Sequence, residues 1–156
     1  MEFDQQEALD RFQDAVETAL MSEATRRDVV YPPGSIAGWV TATMDGANAT
    51  LLEELTGRAN LYALFAASRG STTFRLRYIG KSTRALARQR LRNHLIKKND
   101  GTGAKLAKVQ AHIRSGGRLK VAWVSVTPES LRNYLEEQLI RKYQGRGAAD
   151  WNRHIR

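Results

Sequence analysis

Residues 4–21 place Ala8, Leu9, Phe12, Ala15, Val16, Ala19 and Leu20 at helical spacing with Asp and Gln between them, which predicts an amphipathic helix. The Pro32-Pro33-Gly34 turn follows, and SIAGWVTATM then reads as a strand through Ile36, Val40 and Ala42. Thr50 and Glu53, three apart, form a capping-box signature for a short helix ending near Gly57. From Asn60 the alternation sharpens. NLYALFAAS reads as a strand, SRGST as a turn and TFRLRYIG as a second strand, giving a hairpin over 60–80. A helix capped by Ser82 or Thr83 runs to about Lys98, NDGTG breaks it, and a second helix over about 104–114 ends at SGG. RLKVAWVSV is a third strand, with Leu119, Val121, Trp123 and Ser125 on one face. Thr127-Pro128-Glu129 opens a last helix that runs to about Tyr143 and stops at Gly145. The order β-β-α-α-β-α predicts an α+β fold, a small antiparallel three-stranded sheet flanked by helices, with an N-terminal helical extension.

Composition divides the chain at the same place. Residues 1–60 carry eleven acids and four bases, a balance of −7, and residues 61–156 carry five acids and twenty-one bases, a balance of +16. A segment so basic repels itself unless its usual partner is polyanionic, so nucleic acid is the expected partner. The organisation read from this is an acidic extension over 1–59 and a basic module over 60–156. The acidic third suggests a restraint laid over the basic face, or a dimer contact; a solvated helix packed on the core is the plainer alternative. No basic helix carries a strongly apolar opposite face, which argues against a membrane surface. No apolar run approaches the roughly 20 residues that span a bilayer, and MEFDQQEALD is no signal peptide, so a cytoplasmic protein is expected. The absence of cysteine excludes disulfides and thiolate metal sites, and the three histidines lie far apart at 94, 112 and 154. A metal here would be a hard cation held by carboxylate and water.

One stretch, FRLRYIGKST, invites a phosphate-loop reading that its own residues oppose. Such a loop needs a second glycine five positions before Gly80, and Arg75 stands there. Phe74, Leu76 and Tyr78 also alternate with Arg75, Arg77 and Ile79, as in a strand running into a turn. Other chemistry-bearing residues fall at consistent places. Tyr62 lies in the first strand of the hairpin, Tyr78 ends the second and Lys81 follows it. Arg90 and His94 are four apart on the next helix and share a face. Glu136 is one of few acids in the basic region, and Asn152 sits in a terminal WN.

This set resembles the GIY-YIG nuclease family. Tyr78-Ile79-Gly80 is the YIG half as it stands, and Asn60-Leu61-Tyr62 stands in place of GIY, keeping its tyrosine. RLRNHL, residues 90–95, is similar to the family's helix with an arginine followed four later by histidine or tyrosine. LEEQLI, residues 135–140, resembles the segment whose single glutamate binds metal, and Asn152 corresponds to the asparagine that closes the module. Arg88 is a rival to Arg90 and Glu137 a rival to Glu136; the histidine at i+4 favours Arg90, and the Leu-Glu-x-x-Leu-Ile phasing favours Glu136.

The resemblance implies a metal-dependent DNA endonuclease leaving 5′-phosphate and 3′-hydroxyl ends. It implies Mg²⁺, with Mn²⁺ as the alternative, on Glu136, and a tyrosine as general base. Lys81 close to Tyr62 would favour the phenolate, Arg90 would clamp phosphate oxygens, and His94 would orient the water or a tyrosine hydroxyl. Gly80 would let the chain turn tightly and the DNA backbone approach. Arg90, His94 and the terminal WN look closest to restriction-type members, which implies a dimer or higher oligomer on DNA. Repair, mobile-element and toxin settings stand beside that one. The rival from another class is a nucleic-acid-binding module that does not cut.

Overall fold

The computed structural model describes residues 1–99 and 101–155. It is α+β, with seven α-helices and one four-stranded antiparallel sheet among those residues. In chain order the elements are α1 (Gln6–Met21), β1 (Arg27–Asp28), α2 (Pro33–Ile36), α3 (Thr41–Ala47), α4 (Ala49–Leu55), β2 (Leu61–Ala67), β3 (Arg75–Lys81), α5 (Ala87–Leu95), α6 (Leu106–Arg114), β4 (Arg118–Val124) and α7 (Leu131–Gln144). The sheet order is β1-β4-β2-β3. Three strands were expected; the fourth, β1, is a two-residue strand pairing Arg27 with Val121 and Asp28 with Lys120. So short an element, with both side chains exposed, leaves no alternation to read.

Central strand β2 is buried along its whole length. Its sequence LYALFAA is apolar on both faces because helices cover both. Tyr62, Leu64 and Ala66 face a core with Leu52, Leu55, Leu91, Leu95 and Val109 from α4, α5 and α6. Ala63 and Phe65 face Leu20 of α1 and Leu139 and Ile140 of α7. The N-terminal segment thus shares the core of the basic module and supplies a strand to its sheet. Glu17 on α1 accepts bonds from Lys142 Nζ at 2.6 Å and Tyr143 Oη at 2.7 Å on α7, and Asp45 and Asp28 pair with Arg92 and Lys120, so three acids of the extension meet the basic half within the fold.

Three expected elements differ. SIAGWVTATM forms no strand: α2, a turn and α3 occupy it. Its apolar residues Ile36, Val40 and Met44 are four apart, which is helical spacing, and Met44 is fully buried. Helix α4 begins at Ala49, before the supposed Thr50 cap, and Asn48 turns its amide to Val30 N–H and C=O, both at 2.8 Å. Helix α7 begins at Leu131 rather than Thr127, whose hydroxyl instead accepts from Arg84 Nη2 at 2.7 Å. Of the NDGTG break, Asp100 lies outside the described residues. No helix among the described residues is long and apolar enough to cross a membrane.

Strand β3 lies at the sheet edge, and the chain after α7 covers that edge. Ala149 N–H donates to Leu76 O at 3.1 Å and Trp151 N–H to Arg77 O at 2.8 Å. The Asn152 side chain continues the ladder as a strand would. Its Oδ1 accepts from Ile79 N–H at 2.9 Å and its Nδ2 donates to Ile79 O at 2.8 Å.

Candidate active site

Side chains from four elements meet where β3 ends. Tyr62 of β2, Tyr78 and Lys81 of β3, Arg90 and His94 of α5 and Glu136 of α7 line one cavity of about 240 Å³, together with Asn93, Thr102, Gly103 and Ala104. The β2–β3 ladder explains how two tyrosines come to share it. Tyr62 pairs with Gly80 and Leu64 with Tyr78, so both rings stand on one face of the sheet, with centroids 6.2 Å apart. Gly80 is needed for this. A Cβ there would meet Tyr62 Cε2 and Cζ at 2.5 Å, so the glycine leaves room for the ring. The expectation that Gly80 serves a tight turn is corrected: Gly80 lies within β3, and its close neighbour is Tyr62.

His94 joins the tyrosines from above. Its Nδ1 accepts the Lys105 backbone N–H at 3.0 Å, which leaves the neutral ring's proton on Nε2. Nε2–H therefore donates to the Tyr62 hydroxyl at 2.8 Å. Burial, with the Arg90 and Lys105 charges acting the same way, pushes the His94 pKa down to about 4. The ring is neutral near pH 7.

Burial also governs the tyrosines. It pushes Tyr62 well above the ordinary tyrosine range, with Tyr78 adding to the rise and Arg90 opposing it. Tyr78 goes up to about 12, again through burial and then Glu136, while the neighbouring Tyr62 hydroxyl and the Arg90 charge hold it back. Of the two, Tyr78 is the less buried.

Lys81 does not act on Tyr62 as expected. Its Nζ pairs with Glu136 Oε2 at 2.7 Å. Alternation is the reason: Lys81 pairs with Leu61 across the ladder and so projects to the face opposite Tyr62 and Gly80. Among the described residues, Glu136 is the one carboxylate lining the cavity, its side chain 17% exposed. The rivals separate by position. Glu137 points away and pairs with Arg141 at 2.8 Å. Arg88 acts electrostatically on Asp45, beside Arg92, whereas Arg90 lines the cavity. Asn152 is the candidate that the fold leaves outside; it grips Ile79 and so steadies the strand that carries Tyr78.

Asn93, Thr102, Gly103 and Ala104 are lining residues that the sequence reading missed. Asn93 is three residues after Arg90 on the same helix face, which was a usable signal. The Thr102–Ala104 segment read only as a break between helices. Protein-family models, curated proteins and solved structures were each compared with the chain, and none of the three gives a match.

Proposed function

We propose that the chain is a metal-dependent DNA endonuclease of the GIY-YIG kind, hydrolysing phosphodiester bonds to 5′-phosphate and 3′-hydroxyl ends. The observation that carries this reading is the convergence of Tyr62, Tyr78, Arg90, His94 and Glu136 in one cleft. Structural roles alone would not require five such groups from four elements to share a cavity. The +16 balance of residues 61–156 supports a phosphate-backbone substrate.

The residues fit a hard cation held at one carboxylate. No group of three His, Cys, Asp or Glu suited to a metal occurs among the described residues, so Glu136 would hold Mg²⁺, or Mn²⁺, with water and phosphate oxygens completing its shell. When bound, such a cation supplies Lewis-acid stabilisation of the leaving 3′ oxygen. The chain's own groups supply the rest. The planar fork of Arg90 grips the non-bridging oxygens as negative charge grows on them. Tyr78, having first released its own proton to solvent, accepts a proton from the attacking water as the phenolate and returns to the neutral phenol; the Arg90 charge favours the phenolate beforehand. His94 Nε2–H donates to the Tyr62 hydroxyl and fixes that ring beside Tyr78. Lys81 neutralises Glu136 in the free protein and has a phosphate within its reach once that carboxylate is otherwise engaged. Asn152 acts through β3, by fixing Ile79 beside Tyr78.

A restriction-type enzyme with one such site per chain would work as a dimer to cut both strands. The test is incubation of several plasmid and genomic DNAs with the protein in Mg²⁺, Mn²⁺ or EDTA, followed by analysis of the ends. Metal-dependent cutting to ligatable 5′-phosphate ends is expected, and discrete fragments would mark a restriction enzyme. Tight, salt-sensitive binding without cutting on any DNA or metal would instead support a non-cleaving module.

A further inference from the structure

The cleft does not stop at the catalytic groups. A second cavity of about 320 Å³ adjoins it, lined by Leu86, Gln89, Arg90 and Asn93 of the α5 region and by the Gly101–Gly103 segment opposite. Arg90, Asn93, Thr102 and Gly103 belong to both cavities, so the two form one groove with Arg90 at the junction.

One feature of this extension points to a ligand, and a second leaves room for it. Asn93 is 3% exposed, and its Oδ1 is buried with no hydrogen-bond partner among the described residues. A buried carbonyl left unpaired is destabilising, and native folds keep few of them. Neighbouring Arg92 shows the usual fate of a polar group here, paired in two hydrogen bonds with Asp45. The second feature is Gly103. Its φ lies outside the left-handed region and nothing stands within 4 Å of where a Cβ would be, so neither backbone nor packing calls for glycine. The missing side chain keeps the groove wide at its lip.

Resting on the nuclease reading above, we infer that this extension is a base-reading subsite for the nucleotide beside the scissile phosphate, with Asn93 as its specificity-determining residue. Arg90 marks the phosphate end of the groove, Asn93 lines the junction with it, and Gln89 lines the extension alone. A carboxamide offers one acceptor and two donors, and Asn and Gln are the side chains whose amides match the N6/N7 edge of adenine. Phosphate contacts position the duplex, and this amide pair reads it. Gly103 gives the base edge room to come close to Asn93.

The test combines folding with DNA binding in EDTA, where no cutting intervenes. Asn93→Leu removes the unpaired carbonyl while keeping the branching and heavy-atom count of the side chain, so it should raise the melting temperature by roughly 2–4 °C. Anisotropy with a fluorescein-labelled random-sequence duplex measures the sequence-independent affinity and salt dependence of wild type and variant, the baseline against which base preference is scored. Affinity selection from a randomised duplex pool should show a wild-type preference at a base pair that Asn93→Leu loses by about tenfold or more. Gly103→Val, on the groove lip, should weaken the same preference by a different route. A lower melting temperature for Asn93→Leu would make Asn93 a structural residue and overturn the inference. So would identical enrichment by wild type and both variants, or no base preference in the wild type, and either result leaves the nuclease reading standing. Failure of the wild type to bind any duplex would remove that reading and the inference with it.

Discussion

Gly80 and Tyr62 form one unit, because the ring lies in the volume a Cβ at position 80 would occupy. Gly80→Ala must therefore push Tyr62 off its place under His94 or spread β2 from β3. We expect a stability loss of roughly 1–3 kcal/mol, measured by urea unfolding, with cleavage falling further than stability. His94 makes a second residue-level claim. Its folded pKa of about 4 lies below the ordinary 6.5, so the fold binds fewer protons than the unfolded chain between these values. Its contribution is complete above about pH 6.5 and is lost as pH falls through 4, about 3 kcal/mol in all. Protonated Nδ1 would then face the Lys105 N–H, donor against donor. Urea midpoints measured from pH 4 to 8 should show this slope, and His94→Gln should flatten it. An unchanged slope in the variant would assign the acid sensitivity to other groups.

At the scale of elements, β3 is held between two partners of different kinds, β2 through a regular ladder and the 149–152 segment through the Asn152 amide. Asn152→Ala removes both bonds to Ile79 and should cost roughly 1–3 kcal/mol by chemical denaturation. If Asn152 acts only by placing β3, activity should drop with a KM close to wild type and recover in part at lower temperature. The elements that carry the site were legible: the β2–β3 hairpin, α5 with its i, i+4 pair, β4 and α7 all occur near their expected places. Their patterns are long enough to report a period. The segment 35–44 holds helices rather than the expected strand because its apolar spacing, Ile36, Val40 and Met44, is helical and ends on the buried Met44. Strand β1 had only two exposed residues with which to announce itself.

At the scale of the molecule, the acidic and basic parts differ in charge yet share a core. Met44, Leu51, Leu52 and Leu55 pack with Leu91, Leu95 and Tyr62, and β1 covers one edge of the sheet. No residue before Tyr62 lines the candidate cavity, so a restraint laid across the site is not what the extension does in this structure. A chain lacking residues 1–57 should lose cooperative unfolding in calorimetry, because it exposes the α5–α6 side of the core. A sharp transition near that of the full chain would contradict this. Contacts that join distant segments were the part the sequence hid. Lys81 with Glu136, Asn152 with Ile79 and His94 with the Lys105 backbone each depend on how elements pack, which no local pattern encodes. The groups themselves were visible as residue types in order along the chain.

The most direct measurement is single-turnover cleavage of a duplex that the wild type cuts in Mg²⁺, run beside Glu136→Gln, with duplex affinity of both proteins measured in EDTA. The account predicts equal affinity and a cleavage rate lower by roughly a thousandfold or more in the variant. Cleavage by Glu136→Gln at the wild-type rate, or a wild type that binds DNA but cuts none in any divalent metal, would contradict it.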